Sequence, residues 1–280
     1  MTTVALFGAG GKIGYRIAQH LKDAEYRLLC LEVSQAGKEA LAQIGLATTP
    51  QEQALREADV AILAVPDALI GVIARQIVPA MQRGAMVMVL DAAAPYAGEL
   101  PKGEDISYFV VHPCHPPLFG EQATPEARAD FFGGIAATQD IVVALYRGSE
   151  ENFRAAERLC REMFAPVAKA HRITVEQMAI LEPAAAEVCA ASAAALMKAA
   201  MDEAIGRGVP AEAARAFLLG HAQIPLAIVF GKIGSPFSDA AKIAMKVGSE
   251  KVINPAWREV FEPEAIRATI HRMLHPEEEK

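Results

Sequence analysis

Two histidines set three residues apart carry the clearest chemistry in this chain: His112 and His115, in the segment VVHPCHPPLFG of residues 110–120. Prolines separate and follow them, and a proline fixes the backbone that aims each imidazole. A histidine titrates near neutral pH. It can accept a hydroxyl proton while hydride leaves the same carbon, and it can also ligate a metal ion. The plain alternative is a loop stiffened by prolines. Further along, Glu182 and Glu187 lie in ILEPAAAE on a long helical stretch, where Pro183 breaks the pattern beside Glu182. Glu182 there either faces a site or caps the segment that begins at Pro183. His221 sits among Leu218, Leu219 and Ile224, a setting for a site residue or for a core histidine. His112, His115, Glu182 and His221 together make an N/O donor set suited to a divalent cation. Lys242 and Lys246, on one face of a short helix after SPFSD, suit either a substrate carboxylate or solvent.

The elements that would position such groups begin at the N-terminus. In VALFGAGGKIG, residues 4–14, the turn Gly8, Ala9, Gly10, Gly11, Lys12, Ile13 and Gly14 follows an apolar strand and opens a helix. Glycines let the backbone approach a pyrophosphate, and the helix start offers unpaired N–H groups and its positive dipole end. The third glycine is one residue late for GxGxxG, and GxxGxxG (Gly8, Gly11, Gly14) fits equally well. Context decides in favour of a dinucleotide: a strand before, a helix after, and Glu32 closing the next strand. A carboxylate there accepts from the adenosine ribose hydroxyls and repels a 2′-phosphate, favouring NAD over NADP. Ala64, Val65 and Pro66, in LAVPD after a third strand, are expected along the cofactor at the sheet's carboxyl edge. Asp91 ends a fourth strand and serves either the cofactor or a turn cap.

Strand-like runs at residues 3–7, 26–31, 59–65, 86–90, 107–111, 141–146 and 167–171 alternate with helical runs at 15–22, 37–44, 70–78 and 150–164. That alternation predicts an α/β, doubly wound Rossmann domain over residues 1–173. From residue 174 only helical periodicity remains, at 174–207, 211–230, 238–247 and 263–274, which predicts an all-helical substrate-binding and dimerisation domain over 174–280. The first of these helices is too long and Ala-rich to bury its own apolar surface, so a homodimer is expected. The Glu-rich tail 276–280 is expected to fray.

Composition narrows the class. Hydrophobic residues make up 52% and charged residues 22%, enough for a buried core, and the net charge of −7 argues against general nucleic-acid binding. A small anionic substrate remains compatible, held by local cations. The four cysteines, Cys30, Cys114, Cys160 and Cys189, form no CxxC pair, which argues against a disulfide framework or structural zinc. No apolar run reaches about 18 residues without a charge or breaker, and no basic leader precedes the first strand. The expectation is a cytoplasmic chain without membrane contact.

Taken together, these motifs give a chain that resembles the D-apionate oxidoisomerase family, within the 6-phosphogluconate and β-hydroxyacid dehydrogenase superfamily. The resemblance runs over essentially the whole chain, through FGAGGKIG, the Glu32 strand end, LAVPD, HPCHPPLFG, ILEPAAAE and GSPFSDAAK. Its first His-Pro is also similar to the catalytic His-Pro of prephenate dehydrogenases. The resemblance implies NAD-dependent oxidation of a polyhydroxy or branched sugar acid, followed by an acyl or carboxylate shift. That second step is similar to ketol-acid reductoisomerase chemistry, where a divalent metal polarises the carbonyl. Sugar-acid dehydrogenases of the wider superfamily place a catalytic lysine where Glu182 stands here, so a histidine or metal mechanism is expected instead. In that mechanism His112 is the base, His115 assists or ligates, and Glu182 and His221 hold metal or substrate. The alternatives are a β-hydroxyacid dehydrogenase without rearrangement, a reductase of imines or prephenate-like compounds, and a non-catalytic NAD-sensing protein.

Overall fold

The computed structural model describes residues 1–103 and 105–279. β1 (Thr2–Phe7) leads through the glycine-rich turn to α1 (Lys12–Leu21) and β2 (Tyr26–Leu31). Then follow α2 (Gln35–Gln43), α3 (Gln51–Glu57), β3 (Val60–Leu63), α4 (Asp67–Ile77), β4 (Met86–Val89), the one-turn α5 (Ala93–Tyr96) and β5 (Ser107–Pro113). After the short α6 (Pro125–Ala129) come β6 (Gln139–Arg147), α7 (Glu150–Met163), β7 (Val167–Arg172) and α8 (Val175–Ala179). The strands form one seven-stranded sheet in the order β2-β1-β3-β4-β5-β6-β7. The central strands VAIL and MVMV are buried at every position, as parallel strands covered on both faces must be.

Helices cover the sheet through their periodic apolar faces. α1 buries Gly14, Ile17, Ala18 and Leu21, a spacing that puts all four on one side. α7 starts with a reciprocal capping box between Ser149 and Asn152 and buries Phe153, Ala156, Leu159, Cys160 and Met163. Those side chains join Leu6, Ile62, Met88, Phe109 and Ile141 of the sheet in one core. Each such side chain, fully buried, contributes about 1.5–3 kcal/mol.

The sheet differs from the sequence pattern in one consequential way. β1 through β5 are parallel, but β6 runs antiparallel to β5, with His112 opposite Val142, and β7 is parallel to β6. β5 therefore leaves the sheet, and β6 re-enters it, at the same edge. Both ends of the connection 114–138 therefore lie at the carboxyl edge of the parallel strands. Smaller differences have local causes. α1 starts at Lys12 rather than residue 15 because Gly11, in extended conformation, is its N-cap. β5 continues past residue 111 through Pro113, so His112 is part of the ladder. α3, α5 and α6 are too short to leave a periodic signature.

The chain divides into two compact units, one from Met1 to Ala179 joined by the stretch from Arg267 onward, the other Ile180–Ile266. The division falls after α8, beyond the boundary at residue 173 read from the pattern, because α8 packs on α5 and β6. In the second unit Ile180–Ala191 is π-helical with Pro183 inside it. Proline lacks the N–H of a tight α-turn and its ring crowds the preceding turn, and here the helix widens where a kink was expected. α9 (Ser192–Gly206), α10 (Ala211–Val229) and α11 (Asp239–Lys251) complete this unit, and neither α9 nor α11 contains a buried residue. α12 (Pro263–Leu274) carries the chain back to the first unit, where His275 Nε2 lies 3.6 Å from Glu99 Oε1. A short turn over Pro276–Glu279 occupies the tail expected to fray, and Lys280 lies outside the described residues.

By length and composition alone, Val175–Gly206 is apolar enough to cross a membrane, with a window of mean hydropathy 1.4. The sequence criterion had been broken by Glu182, Pro183 and Glu187. The same composition suits a helix covered by protein.

Candidate active site

The glycine turn is held by backbone contacts that leave no room for side chains. Gly8 has φ +72°, and a Cβ there would stand 2.2 Å from the carbonyl oxygen of Ala64. A Cβ on Gly14 would meet the Gly8 carbonyl oxygen at 2.0 Å, and one on Gly10 would meet Gly37 Cα at 2.3 Å. At Gly11 the nearest atom is farther, at 3.2 Å. Packing therefore demands Gly8, Gly10 and Gly14 most strictly, which resolves the ambiguous spacing. Gly8 ties the turn to LAVPD, Gly10 ties it to α2, and Gly14 lets α1 close onto the turn. Gly11, Lys12 and Ile13 are exposed, and the N-cap of α1 has no side-chain cap. The start of α1 thus presents donor groups suited to a pyrophosphate.

Glu32 does more than end β2. Its Oε2 accepts from Gly10 N at 2.8 Å and its Oε1 from Ser34 N at 2.8 Å. Partial burial pushes its pKa up, but the donors of Ser34, Gly10 and Val33 outweigh that and hold the carboxyl below its ordinary value. A carboxylate has about four lone-pair sites, so capacity remains for ribose hydroxyls. Because its folded pKa is depressed, Glu32 contributes stability that is fully present above about 4.5. That contribution is lost as pH falls through the folded value. We expect Glu32→Gln to be less stable than the parent at pH 7, with the gap in urea midpoints narrowing as pH falls below about 4.5. The same variant should narrow the preference for NAD over NADP by about tenfold, as judged by cofactor titration.

His112 leaves β5 facing the end of β4. Its Nδ1 lies 2.9 Å from the carbonyl oxygen of Leu90. A carbonyl only accepts, so Nδ1 carries the proton and Nε2 of the neutral ring is the acceptor. Asp91 Oδ2 stands 4.0 Å from the same Nδ1. Asp91 is buried, and its Oδ1 accepts from Ala93 N at 2.6 Å. It therefore caps the one-turn α5 and also sits beside His112. His115 Nδ1 likewise donates to a carbonyl, that of Phe132, at 2.8 Å. The two rings stand edge to face with centroids 6.2 Å apart. His115 has φ +60°, in the left-handed region that non-glycine residues rarely adopt. Such strain persists where surrounding contacts fix it, as at functional sites.

Those contacts come from the rest of the 114–138 connection. One oxygen of Asp130 accepts from the N–H groups of Ile135, Ala136 and Ala137 at 3.0, 3.0 and 3.2 Å. Partial burial raises its pKa, but these three donors with the Arg16 charge outweigh that and leave it below the ordinary value. Sequence reading missed Asp130 and Phe132, although an aspartate followed by the Gly133–Gly134 pair is a turn signal. The cysteines are all free. Burial, with Asp140 nearby, pushes the Cys114 thiol up, and burial raises Cys30 to about 11. Neither is an activated thiolate.

Glu182, Glu187, His221 and Lys242 belong to the helical unit. Glu182 and Glu187 lie in its π-helical segment. His221 stacks on Phe217 with centroids 3.8 Å apart and donates from Nδ1 to the Phe217 carbonyl at 2.9 Å. Lys242 pairs with Asp239 at 3.1 Å.

Residues 120–274 match the family model described as phosphogluconate dehydrogenase (decarboxylating) C-term. The chain is 47% identical to a D-apionate oxidoisomerase of Rhizobium rhizogenes, covering 98% of this chain and 100% of that one. It is 48% identical to a D-apionate oxidoisomerase of Cupriavidus necator, covering 96% and 98%. Among solved structures it is similar to a semialdehyde dehydrogenase NAD-binding protein from Cupriavidus necator in complex with calcium and NAD. The identity there is 48% and the TM-score 0.95, over 98% of this chain and 99% of that one. An NADH-preferring ketol-acid reductoisomerase from an uncultured archaean has the same fold, with TM-score 0.68 and 19% identity over 99% and 83%.

Proposed function

The chain belongs to the D-apionate oxidoisomerase family, and from that premise we propose that its substrate is a branched polyhydroxy acid, oxidised and then rearranged. It is an NAD-dependent oxidoreductase. The observation that carries the reading is His112, whose Nδ1–H is tied to Leu90 so that Nε2 is the proton acceptor at the carboxyl edge. NAD, when bound, supplies the acceptor for hydride. Gly8, Gly10 and Gly14 shape the turn that takes its pyrophosphate, Gly11, Lys12 and Ile13 meet the phosphates, and Glu32 takes the ribose. Ala64, Val65 and Pro66 line its path, and Asp91 orients the imidazole beside it.

In the oxidation His112 Nε2 takes the hydroxyl proton as hydride leaves the same carbon, so a carbonyl forms. In the shift a carbon substituent moves from the adjacent hydroxyl-bearing carbon to that carbonyl carbon. The new alkoxide gains a proton and the neighbouring hydroxyl loses one, so the step is redox-neutral. His115 Nε2 is our candidate for moving that proton. Glu182, His221 and Lys242 of the helical unit are our candidates for holding the substrate's hydroxyls and carboxylate.

The donor chemistry also fits a divalent cation. Both histidines anchor Nδ1–H on a backbone carbonyl, the arrangement that orients metal-ligating imidazoles. Where a divalent ion is bound it would polarise the carbonyl during the shift, held by His115, Glu182 and His221, with His115 then a ligand rather than the proton carrier and His112 Nε2 kept for the hydroxyl proton. Chelation is expected to abolish rearrangement while NADH still binds, and Mg, Mn or Zn should restore it. Unchanged activity and melting temperature after chelation would remove the metal.

The test of function is a panel of sugar acids incubated with NAD. Branched acids should give NADH and a product whose carbon skeleton, read by ¹³C NMR, is rearranged. NADH with an unaltered skeleton would make the protein a plain β-hydroxyacid dehydrogenase.

We further propose a homodimer. α9 has no buried residue, and Leu196, Phe217 and Ile243 are each at least half exposed, surface that a second copy would cover. Light scattering should give twice the chain mass, and a monomer at micromolar concentration would refute it. The free cysteines suit the reducing cytoplasm, where we place the enzyme.

A further inference from the structure

The Phe132 ring meets Lys12, Arg16 and His115, and its carbonyl meets His115 as well. Its ring is half exposed, and Lys12 Nζ sits over its face, 3.5 Å from the centroid. Its carbonyl is the acceptor that fixes His115 Nδ1 at 2.8 Å. Its own position is fixed from both sides. Asp130 gathers the following N–H groups. Arg16 Nη1 donates to Gly133 O at 3.0 Å, and His20 Nε2 lies 2.9 Å from Gly134 O. Both Arg16 and His20 belong to α1, the helix whose first turn starts at Lys12. The connection from β5 is thus clamped to the helix that opens at the glycine turn.

We propose that Phe132 is a positioning residue for the cofactor: its ring face holds the Lys12 ammonium at the start of α1, ready for the dinucleotide pyrophosphate. The inference rests on reading residues 8–14 as the NAD turn. A lysine on a flexible four-carbon stem loses rotamer freedom when it engages a phosphate. An aromatic face that already restrains it lowers that loss, which is preorganisation. The ring quadrupole attracts the cation without neutralising it, so the charge remains available to the phosphates. The same residue's backbone carries His115, so the group that meets the phosphates and the second imidazole share one support.

The test is equilibrium binding of NADH, ADP-ribose and adenosine to the full chain, with no sugar acid present. Phe132→Leu keeps the carbonyl and the bulk but loses the quadrupole. It should weaken NADH and ADP-ribose by about two- to fivefold, leave adenosine unchanged, and leave kcat at saturating NAD within twofold. Phe132→Tyr should restore parental affinity. In a Lys12→Gln background Phe132→Leu should lose most of its effect, leaving only what the more distant Arg16 guanidinium, 5.3 Å from the ring centroid, contributes. An equal loss in both backgrounds, a loss that extends to adenosine, or no loss at all would each overturn the proposal. Binding is read without substrate, so failure of the sugar-acid assignment would leave this outcome unaffected.

Discussion

Alanine at position 112 is expected to lower turnover by about 10²–10⁴-fold while NADH affinity stays within about twofold. The separation follows from where His112 sits. Its anchor, Leu90 O at 2.9 Å, and its neighbour Asp91 are at the end of β4, whereas the turn that takes the pyrophosphate follows β1. Removing the imidazole deletes the proton acceptor and leaves the turn intact. The ring is only partly buried, at 24% side-chain exposure, so truncation opens a small surface defect, with a stability loss of about 1 kcal/mol. Asparagine at the same position is the stricter variant. Its amide can donate to Leu90 O but offers no base, so it should be folded, able to bind cofactor, and inactive. Stopped-flow NADH formation together with NADH titration separates the two quantities. Unimpaired turnover in either variant would take His112 out of the reaction.

The second large effect is expected at Gly8. Alanine there meets two obstacles: φ of +72° and a backbone oxygen 2.2 Å from the new Cβ. The left-handed conformation costs a non-glycine residue about 1–2 kcal/mol, and overpacking against an atom that cannot rotate away costs about 1–3 kcal/mol more. Part of the sum is recovered if the turn shifts, but a shifted turn misplaces the start of α1. Gly8→Ala should therefore be destabilised by about 2–4 kcal/mol, and its NADH affinity should fall at least tenfold, measured below its unfolding temperature. Gly11→Ala is the control, because its nearest neighbour lies at 3.2 Å, and it should have the smaller effect on stability. Equal losses at the two positions would mean that the close approach to Ala64 is not what the turn requires.

The parts of the site that follow local rules were legible in the sequence. The glycine turn, Glu32 and the two histidines could be read because each depends on a neighbouring strand or helix with a clear period. Sequence could not choose among Gly8, Gly10, Gly11 and Gly14. That choice is made by Ala64 and Gly37, which are distant along the chain. Asp91 was open between a place beside the cofactor and a cap, and its carboxylate binds the Ala93 N–H at the start of α5 while lying 4.0 Å from His112 Nδ1. The reversal of β6 left no trace either, because the apolar run of a strand reads alike for either strand direction. Phe132 was passed over since its part is played by a carbonyl and a ring face, to which motif spacing is blind. The helical unit was legible as helices only. Pro183 announced an irregularity, and the π-helical form it takes depends on hydrogen-bond geometry beyond any sequence period.

The reversal of β6 has one more consequence. Antiparallel neighbours can be joined by a hairpin of two residues, yet here residues 114–138 separate β5 from β6. Both ends of that excursion are pinned in the same ladder, at Pro113 and Ile141, so its length is free of any span it must bridge. Exchanges at the exposed Leu118, Glu121 and Ala123, which spare Gln122 and its paired bonds to Thr138, would leave the strand register and the cofactor turn untouched. Such positions can drift during descent, or be exchanged by an engineer, while the strands that frame them are inherited unchanged.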